Sequence, residues 1–186
     1  MTEEINNALK VLKQGGLIVY PTDTIWGIGC DATNPEAVQR IYELKQRAET
    51  KSMICLVSDF KMLNQHIEEV PEVAYDILKY ANKPTTVIYD RPRRVAENVI
   101  ASDNTLAIRV VRDKFCNQLI KKFRKPIVST SANISGEPSA LTFKEISEDI
   151  LKGVDYVVNL QRDKKSTKAS SIIKLSGDGM VKIIRK

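Results

Sequence analysis

Ile127-Val128-Ser129-Thr130-Ser131-Ala132-Asn133-Ile134-Ser135-Gly136-Glu137-Pro138-Ser139 is the stretch around which the chain is organised. Its first apolar residues, behind Pro126, read as a buried strand that opens into hydroxyls, one amide and a glycine with little bulk. Hydroxyls and an Asn amide can donate to phosphate or carboxylate oxygens, and small neighbours let backbone amides come near. A polyanionic small molecule suits such a surface. A serine-rich turn whose hydroxyls satisfy their own backbone suits it equally well, so the rest of the chain has to decide.

Upstream, residues 105–111 form an apolar strand interrupted by Arg109. An arginine there either snorkels outward from a sheet edge or aims a fixed fork into a pocket, where it would grip a carboxylate bidentately. Asp113 then caps a helix carrying Phe115, Leu119, Ile120 and Phe123. Downstream, Thr142 and Glu145 have capping-box spacing and predict a helix through Ile150. Strands are expected over 155–160, 169–175 and 180–184, with a charged, mobile segment over 162–168 and a turn at Gly177-Asp178-Gly179.

In the first half of the chain, Ile5, Ala8, Leu9 and Leu12 follow helical spacing after Thr2, and Gly15-Gly16 ends that helix. A strand over 17–20 leads into the polar loop Pro21-Thr22-Asp23-Thr24 and then into Trp26-Gly27-Ile28-Gly29. That loop either holds an amino acid or is an Asx or ST turn between strands. Asn34-Pro35 starts a second helix, which runs into Lys45, Arg47 and Lys51. These three cations form either a solvated helix end or a phosphate grip. A strand over 53–57, short helices after Asp59 and Pro71 and a strand over 85–89 complete the pattern, followed by the basic connection Arg91-Pro92-Arg93-Arg94. Strands and helices alternate throughout, and no linker or repeat divides residues 1–186. The expectation is a single α/β domain with a twisted, mixed β-sheet flanked by helices.

Composition narrows the function. A net charge of +6 tilts the chain toward anionic ligands or nucleic acid. Three scattered cysteines indicate neither a disulfide framework nor a zinc knuckle, and reduced, buried thiols are expected. The single His66 lies in a polar stretch and is expected at the surface, which leaves little room for histidine metal sites or triads. With no leader-like start and no run of the ~20 apolar residues that a membrane span needs, a cytoplasmic location and no membrane are expected.

Together, Pro21-Thr22-Asp23-Thr24 with Trp26-Gly27-Ile28-Gly29, Lys45-x-Arg47 with Lys51, Ser129-Thr130-Ser131-Ala132-Asn133-x-Ser135-Gly136 and the late Ser170-Ser171 resemble the Sua5/YrdC/TsaC family, in its short one-domain form. The resemblance spans nearly the whole chain. It implies an L-threonylcarbamoyladenylate synthase, a nucleotidyltransferase that makes the activated intermediate for tRNA t6A modification from L-threonine, bicarbonate and ATP. Carried over by motif, it implies threonine contacts from Thr24, Arg109, Ser129 and Ser170. On the ATP side it implies Lys45, Arg47, Lys51, Thr105, Ser131, Asn133, Ser139 and Arg185. Mg²⁺ would arrive with ATP, with Asp23 the only nearby carboxylate, and the product would pass to the tRNA threonylcarbamoyl transferase machinery, with a possible tRNA contact here. Two positions depart from the family pattern: Ala48 stands where a proline is common, and Leu56 where a histidine is, so one threonine contact is lost or replaced. The competing expectation is a non-catalytic RNA-binding protein of the same fold using the loop from Arg91 to Arg94, although no aromatic stacking platform accompanies it. A nucleotide hydrolase would call for a P-loop, and none is present.

Overall fold

The computed structural model describes residues 1–48, 53–166, 169–177 and 180–186. Lys51 and the Asp178-Gly179 part of the expected turn lie outside the described residues.

In chain order the elements are α1 (Thr2–Lys13), β1 (Ile18–Tyr20), β2 (Gly27–Asp31), α2 (Pro35–Leu44), β3 (Ile54–Val57), α3 (Phe60–His66), α4 (Glu72–Tyr80) and β4 (Thr85–Asp90). They continue with β5 (Thr105–Val110), α5 (Lys114–Phe123), β6 (Ile127–Ser131), α6 (Glu148–Lys152), β7 (Tyr156–Val157), β8 (Ser171–Leu175) and β9 (Val181–Arg185). All nine strands join one sheet in the order β7-β1-β2-β6-β3-β5-β4-β8-β9. Three neighbouring pairs, β1–β7, β3–β5 and β4–β8, are parallel and the others antiparallel, so the sheet is mixed as expected.

The opening stretch became a central strand because nothing in 127–131 needs water on either side. Ile127 and Val128 are fully buried between β2 and β3, and only the serine end reaches a cavity. Helix starts follow side-chain chemistry. Asn34 accepts from the amides of Glu36 and Ala37, Asp59 from Met62, and Asp113 from Cys116. Each carboxylate or amide oxygen satisfies an amide that has no partner inside the helix.

Four expectations are corrected. Thr142 and Glu145 do pair, and Leu141 N donates to the same carboxylate at 2.8 Å, but only a short 3₁₀ turn follows. Thr142 makes no side-chain cap bond, and the chain re-enters helix only at Ser147, whose side chain accepts from the Ile150 amide and caps α6. The strand expected over 155–160 shrinks to β7 because only Ile18 and Val19 offer it partners. His66 is buried rather than exposed, with Nδ1 3.3 Å from the Arg93 carbonyl, because the 91–94 loop folds over the end of α3. Finally, Arg162 is not loose: its guanidinium stacks 4.3 Å from the Phe143 ring, which in turn packs on Trp26.

Two arginines of the basic loop bond the protein's own groups. Arg91 pairs with Glu69 at 2.8 Å and Arg93 donates to the Asn64 carbonyl at 2.9 Å. No helix among the described residues is long and apolar enough to cross a membrane, and all three cysteines are buried and free.

Candidate active site

Alternation along the strands brings separate parts of the chain to one face of the sheet. Gly27 lies opposite Ser131, Gly29 and Ile54 opposite Ser129, and Ile54 opposite Ala107, which is two residues before Arg109. Farther along, Ala107 is level with Ile88 on β4, Thr86 on β4 is level with Ile172 on β8, and Ile172 with Arg185 on β9. Above this face lies a cavity of about 250 Å³. Thr24, Arg109, Ser129 and Ser170 line it from the expected threonine side, and Arg47, Ser131, Ser139 and Arg185 from the expected nucleotide side.

The glycines of β2 make the space. Tyr20 crosses this strand, and a Cβ on Gly29 would stand 2.7 Å from its ring and from the Val128 carbonyl. A Cβ on Gly27 would stand 3.2 Å from the Ser129 hydroxyl. Burial pushes the Tyr20 phenol above its ordinary range, so it stays protonated, while the neighbouring Ser129 hydroxyl pulls in the opposite direction.

Arg109 is deeply buried, with only 4% of its surface exposed. One Nη donates to the Thr24 hydroxyl at 3.4 Å and the other faces Asp23 at 3.1 Å, a distance suited to an ion pair but without hydrogen-bond alignment. Its Nε has no partner. With unused Nη protons, this buried guanidinium is a preformed seat for a carboxylate. Opposite it, Arg185 is held by Ser170, with Nε donating to the carbonyl at 2.9 Å and Nη2 to the hydroxyl at 3.4 Å. Ser170 in turn is 2.8 Å from Thr86. Burial, and then the positive charge of Arg109, lowers the Arg185 pKa from its ordinary value, and burial does the same for Arg47. Packed cations that are hard to keep charged favour an anion between them.

Comparison with known proteins gives these features a family. A family model described as "Telomere recombination" (Sua5/YciO/YrdC) matches residues 10–186. The chain belongs to the Sua5/YciO/YrdC family. A Vibrio campbellii relative named threonylcarbamoyl-AMP synthase is 31% identical over 183 residues, covering 92% of this chain and 98% of the relative. One of the same name from Hahella chejuensis is 35% identical over 153 residues, 82% of this chain and 83% of its own length. Among solved structures, P. abyssi Sua5 complexed with L-threonine superposes with a TM-score of 0.82 at 27% identity over 92% of this chain and 50% of that one. The chain thus spans about half the length of that Sua5 protein. E. coli YciO matches the fold over 100% of this chain and 90% of its own, with a TM-score of 0.86 at 23% identity.

Three nucleotide-side expectations drawn from the Sua5/YrdC resemblance, Lys45, Asn133 and Thr105, do not line the cavity. Lys45 and Asn133 are behind the wall and not on it. The Lys45 ammonium, 1% exposed, donates to the carbonyls of Ser131 and Asn133 at 2.5 Å each. The Asn133 amide donates to Ile134 and Glu137 carbonyls, so the pair shapes the 131–137 turn. Thr105 shares the Arg109 face of β5, but its hydroxyl is given to Asp103 at 2.6 Å and it does not line the cavity. Lys51 lies outside the described residues. Leu56, at the family histidine position, is level with Arg109 and fully buried.

Sequence reasoning gave no individual binding role to Thr22, named only as part of the polar loop, or to Gly27 or Ile172, all of which line the cavity. Thr22 had a readable signal, since a hydroxyl two residues before Thr24 in a tight polar loop is placed to bond it. Ile172 had none, because its place depends on β8 pairing with β4 across a long connection. A larger cleft of about 530 Å³ opens on the far side of Asp23, between α4 and the ends of β3 and β5, and shares none of the predicted binding residues.

Proposed function

We propose that this chain is a threonylcarbamoyl-AMP synthase and, as such, a nucleotidyltransferase. The observation that carries the reading is the polar cavity in which the buried Arg109, bonded to Thr24, shares the lining with Arg47, Ser131, Ser139 and Arg185. One end has the chemistry for an amino-acid carboxylate and the other for phosphates.

In the proposed reaction the neutral amine of L-threonine adds to the carbon dioxide that bicarbonate supplies, and the amine proton and the bicarbonate hydroxide leave as water, giving a carbamate. A carbamate oxygen then attacks the α-phosphorus of ATP, the bond to the β-phosphate breaks, and pyrophosphate leaves. No side chain of the cavity forms a covalent bond in this scheme. Arg109 and Ser129 orient the amino acid, while Arg47 and Arg185 offset negative charge on the phosphates, and holding both reactants in line supplies much of the acceleration. Among the described residues no cluster of three or more His, Cys, Asp or Glu is placed to hold a metal, and Asp23 is turned to Arg109. Mg²⁺ therefore enters this scheme as part of the ATP substrate, with the phosphates as its ligands. The proposed setting is the cytoplasm, with delivery of the labile adenylate to the tRNA threonylcarbamoyl transferase machinery and a possible direct contact with tRNA.

The test is pyrophosphate release from ATP measured with and without L-threonine and with and without bicarbonate. Release that requires all three supports the reading. Release of pyrophosphate or phosphate that ignores threonine overturns it.

A further inference from the structure

We infer that Thr22 is a specificity-determining, positioning residue. It fixes the polarity of the Thr24 hydroxyl, so that the cavity selects an amino acid presenting an N–H or O–H donor at that point. The inference rests on the reading of the cavity as an amino-acid site.

The direction of every proton in this corner follows from what each partner is able to do. The Thr22 hydroxyl is 2.7 Å from the Ile25 carbonyl, which can only accept, so the Thr22 proton is committed there. Thr22 Oγ1 also lies 2.9 Å from Thr24 Oγ1 and accepts the Thr24 amide at 3.0 Å. With the Thr22 proton already committed, the proton between the two hydroxyls comes from Thr24. On its other side Thr24 Oγ1 receives a proton from Arg109 Nη1, 3.4 Å away, and a guanidinium only donates. The chain of bonds therefore runs one way, from Arg109 through Thr24 and Thr22 to the Ile25 carbonyl.

A threonine hydroxyl ordinarily rotates to donate or accept as its neighbour requires. Here the proton of Thr24 is fixed and one lone pair is occupied, which leaves a single acceptor site on the wall of the cavity. A carboxylate oxygen placed there meets lone pair against lone pair and is turned toward the remaining Nη protons of Arg109. An ammonium or hydroxyl placed there makes a bond. Thr22, Thr24 and Arg109 are all at most 6% exposed, so no bulk water reverses the assignment.

The experiment uses Thr22→Val, which keeps the shape and removes the relay, beside Thr22→Ser, which keeps the hydroxyl. L-threonine binding is read by calorimetric titration, and KM values for L-threonine and ATP by threonine-dependent pyrophosphate release. We expect Thr22→Val to weaken L-threonine about tenfold with ATP affected less than twofold, and Thr22→Ser to stay near wild type. Repeating the titration with L-2-aminobutyrate, which lacks the hydroxyl, identifies the donor. A narrower threonine preference in Thr22→Val assigns it to the side-chain hydroxyl, and equal losses for both ligands assign it to the amine.

A double-mutant cycle with Thr24→Val guards against a merely loosened loop, because in a relay the second substitution adds little to the first. Unchanged threonine affinity in Thr22→Val, equal losses in Thr22→Val and Thr22→Ser, or additive effects in the cycle would each overturn the inference. A wild type that binds threonine through this relay yet releases no pyrophosphate defeats the proposed reaction and leaves the relay standing. A wild type that binds neither amino acid defeats both.

Discussion

The guanidinium of Arg109 carries five N–H groups, and the surrounding protein engages only part of them, through Thr24 and Asp23. Lysine at this position would keep the charge and the Asp23 pairing but offer no planar fork to a carboxylate. Arg109→Lys is therefore expected to raise the KM for L-threonine roughly tenfold to a hundredfold, the worth of one hydrogen bond to a charged group, while the KM for ATP stays within a few-fold. Steady-state pyrophosphate release at varied threonine and then varied ATP separates the two, and an equal rise in both would place Arg109 outside the amino-acid subsite. At this scale the sequence left two readings of Arg109 open, because alternation places it on a face without saying what lies above that face. The Lys45 motif was misread for a related reason. A cation at a helix end signals phosphate, dipole or solvent, yet this ammonium is buried against carbonyls, and burial followed by the charge of Arg47 brings its pKa down to about 8.

Among the elements, β2 has the narrowest tolerances. Its two glycines sit under Tyr20 and against β6, and at Gly29 the obstructing atoms include the Val128 backbone oxygen, 2.7 Å from where a methyl would go, and the Ile127 side chain at 3.0 Å. Backbone in a central strand cannot step aside without breaking the ladder between β2 and β6. Gly29→Ala is accordingly expected to destabilise the protein by about 1–3 kcal/mol through overpacking, seen as a lower urea midpoint with an unchanged slope. A midpoint equal to wild type would mean that the strand has room that these contacts deny. The existence of most elements could be read from apolar spacing and from caps such as Asn34 and Asp113, since those are local interactions. Their ends could not always be read. Thr142 and Glu145 meet side chain to side chain and not as the capping box their spacing suggested, and the helix starts only at Ser147, because spacing brings the two residues together without fixing which groups they bond.

For the molecule as a whole, folding stability should depend on pH through His66. Burial lowers its pKa in the folded protein from its ordinary value, more than the nearby Arg93 and Arg94 carbonyls raise it. The unfolded chain binds the proton first as pH falls through about 6.5, so stability should decline below that point and be unaffected by this group above it. Urea midpoints at pH 7.5 and 5.5 should show the decline, and His66→Gln should shrink it; an equal decline in that variant would assign the effect to other groups. The sequence by itself determined the α/β class, the mixed sheet and most of the residues that gather around the cavity, because strand alternation, caps and a spaced set of motifs are written locally. Only the tertiary structure decided which motif side chains face the cavity, that Lys45 and Asn133 brace its wall, that Ile172 and Thr22 complete it, and that the hydroxyls run in one direction. Those outcomes depend on pairings such as β8 with β4 and on contacts between residues as far apart as Thr24 and Arg109. Burial and proton direction are properties of the assembled neighbours, and no single stretch of chain contains them.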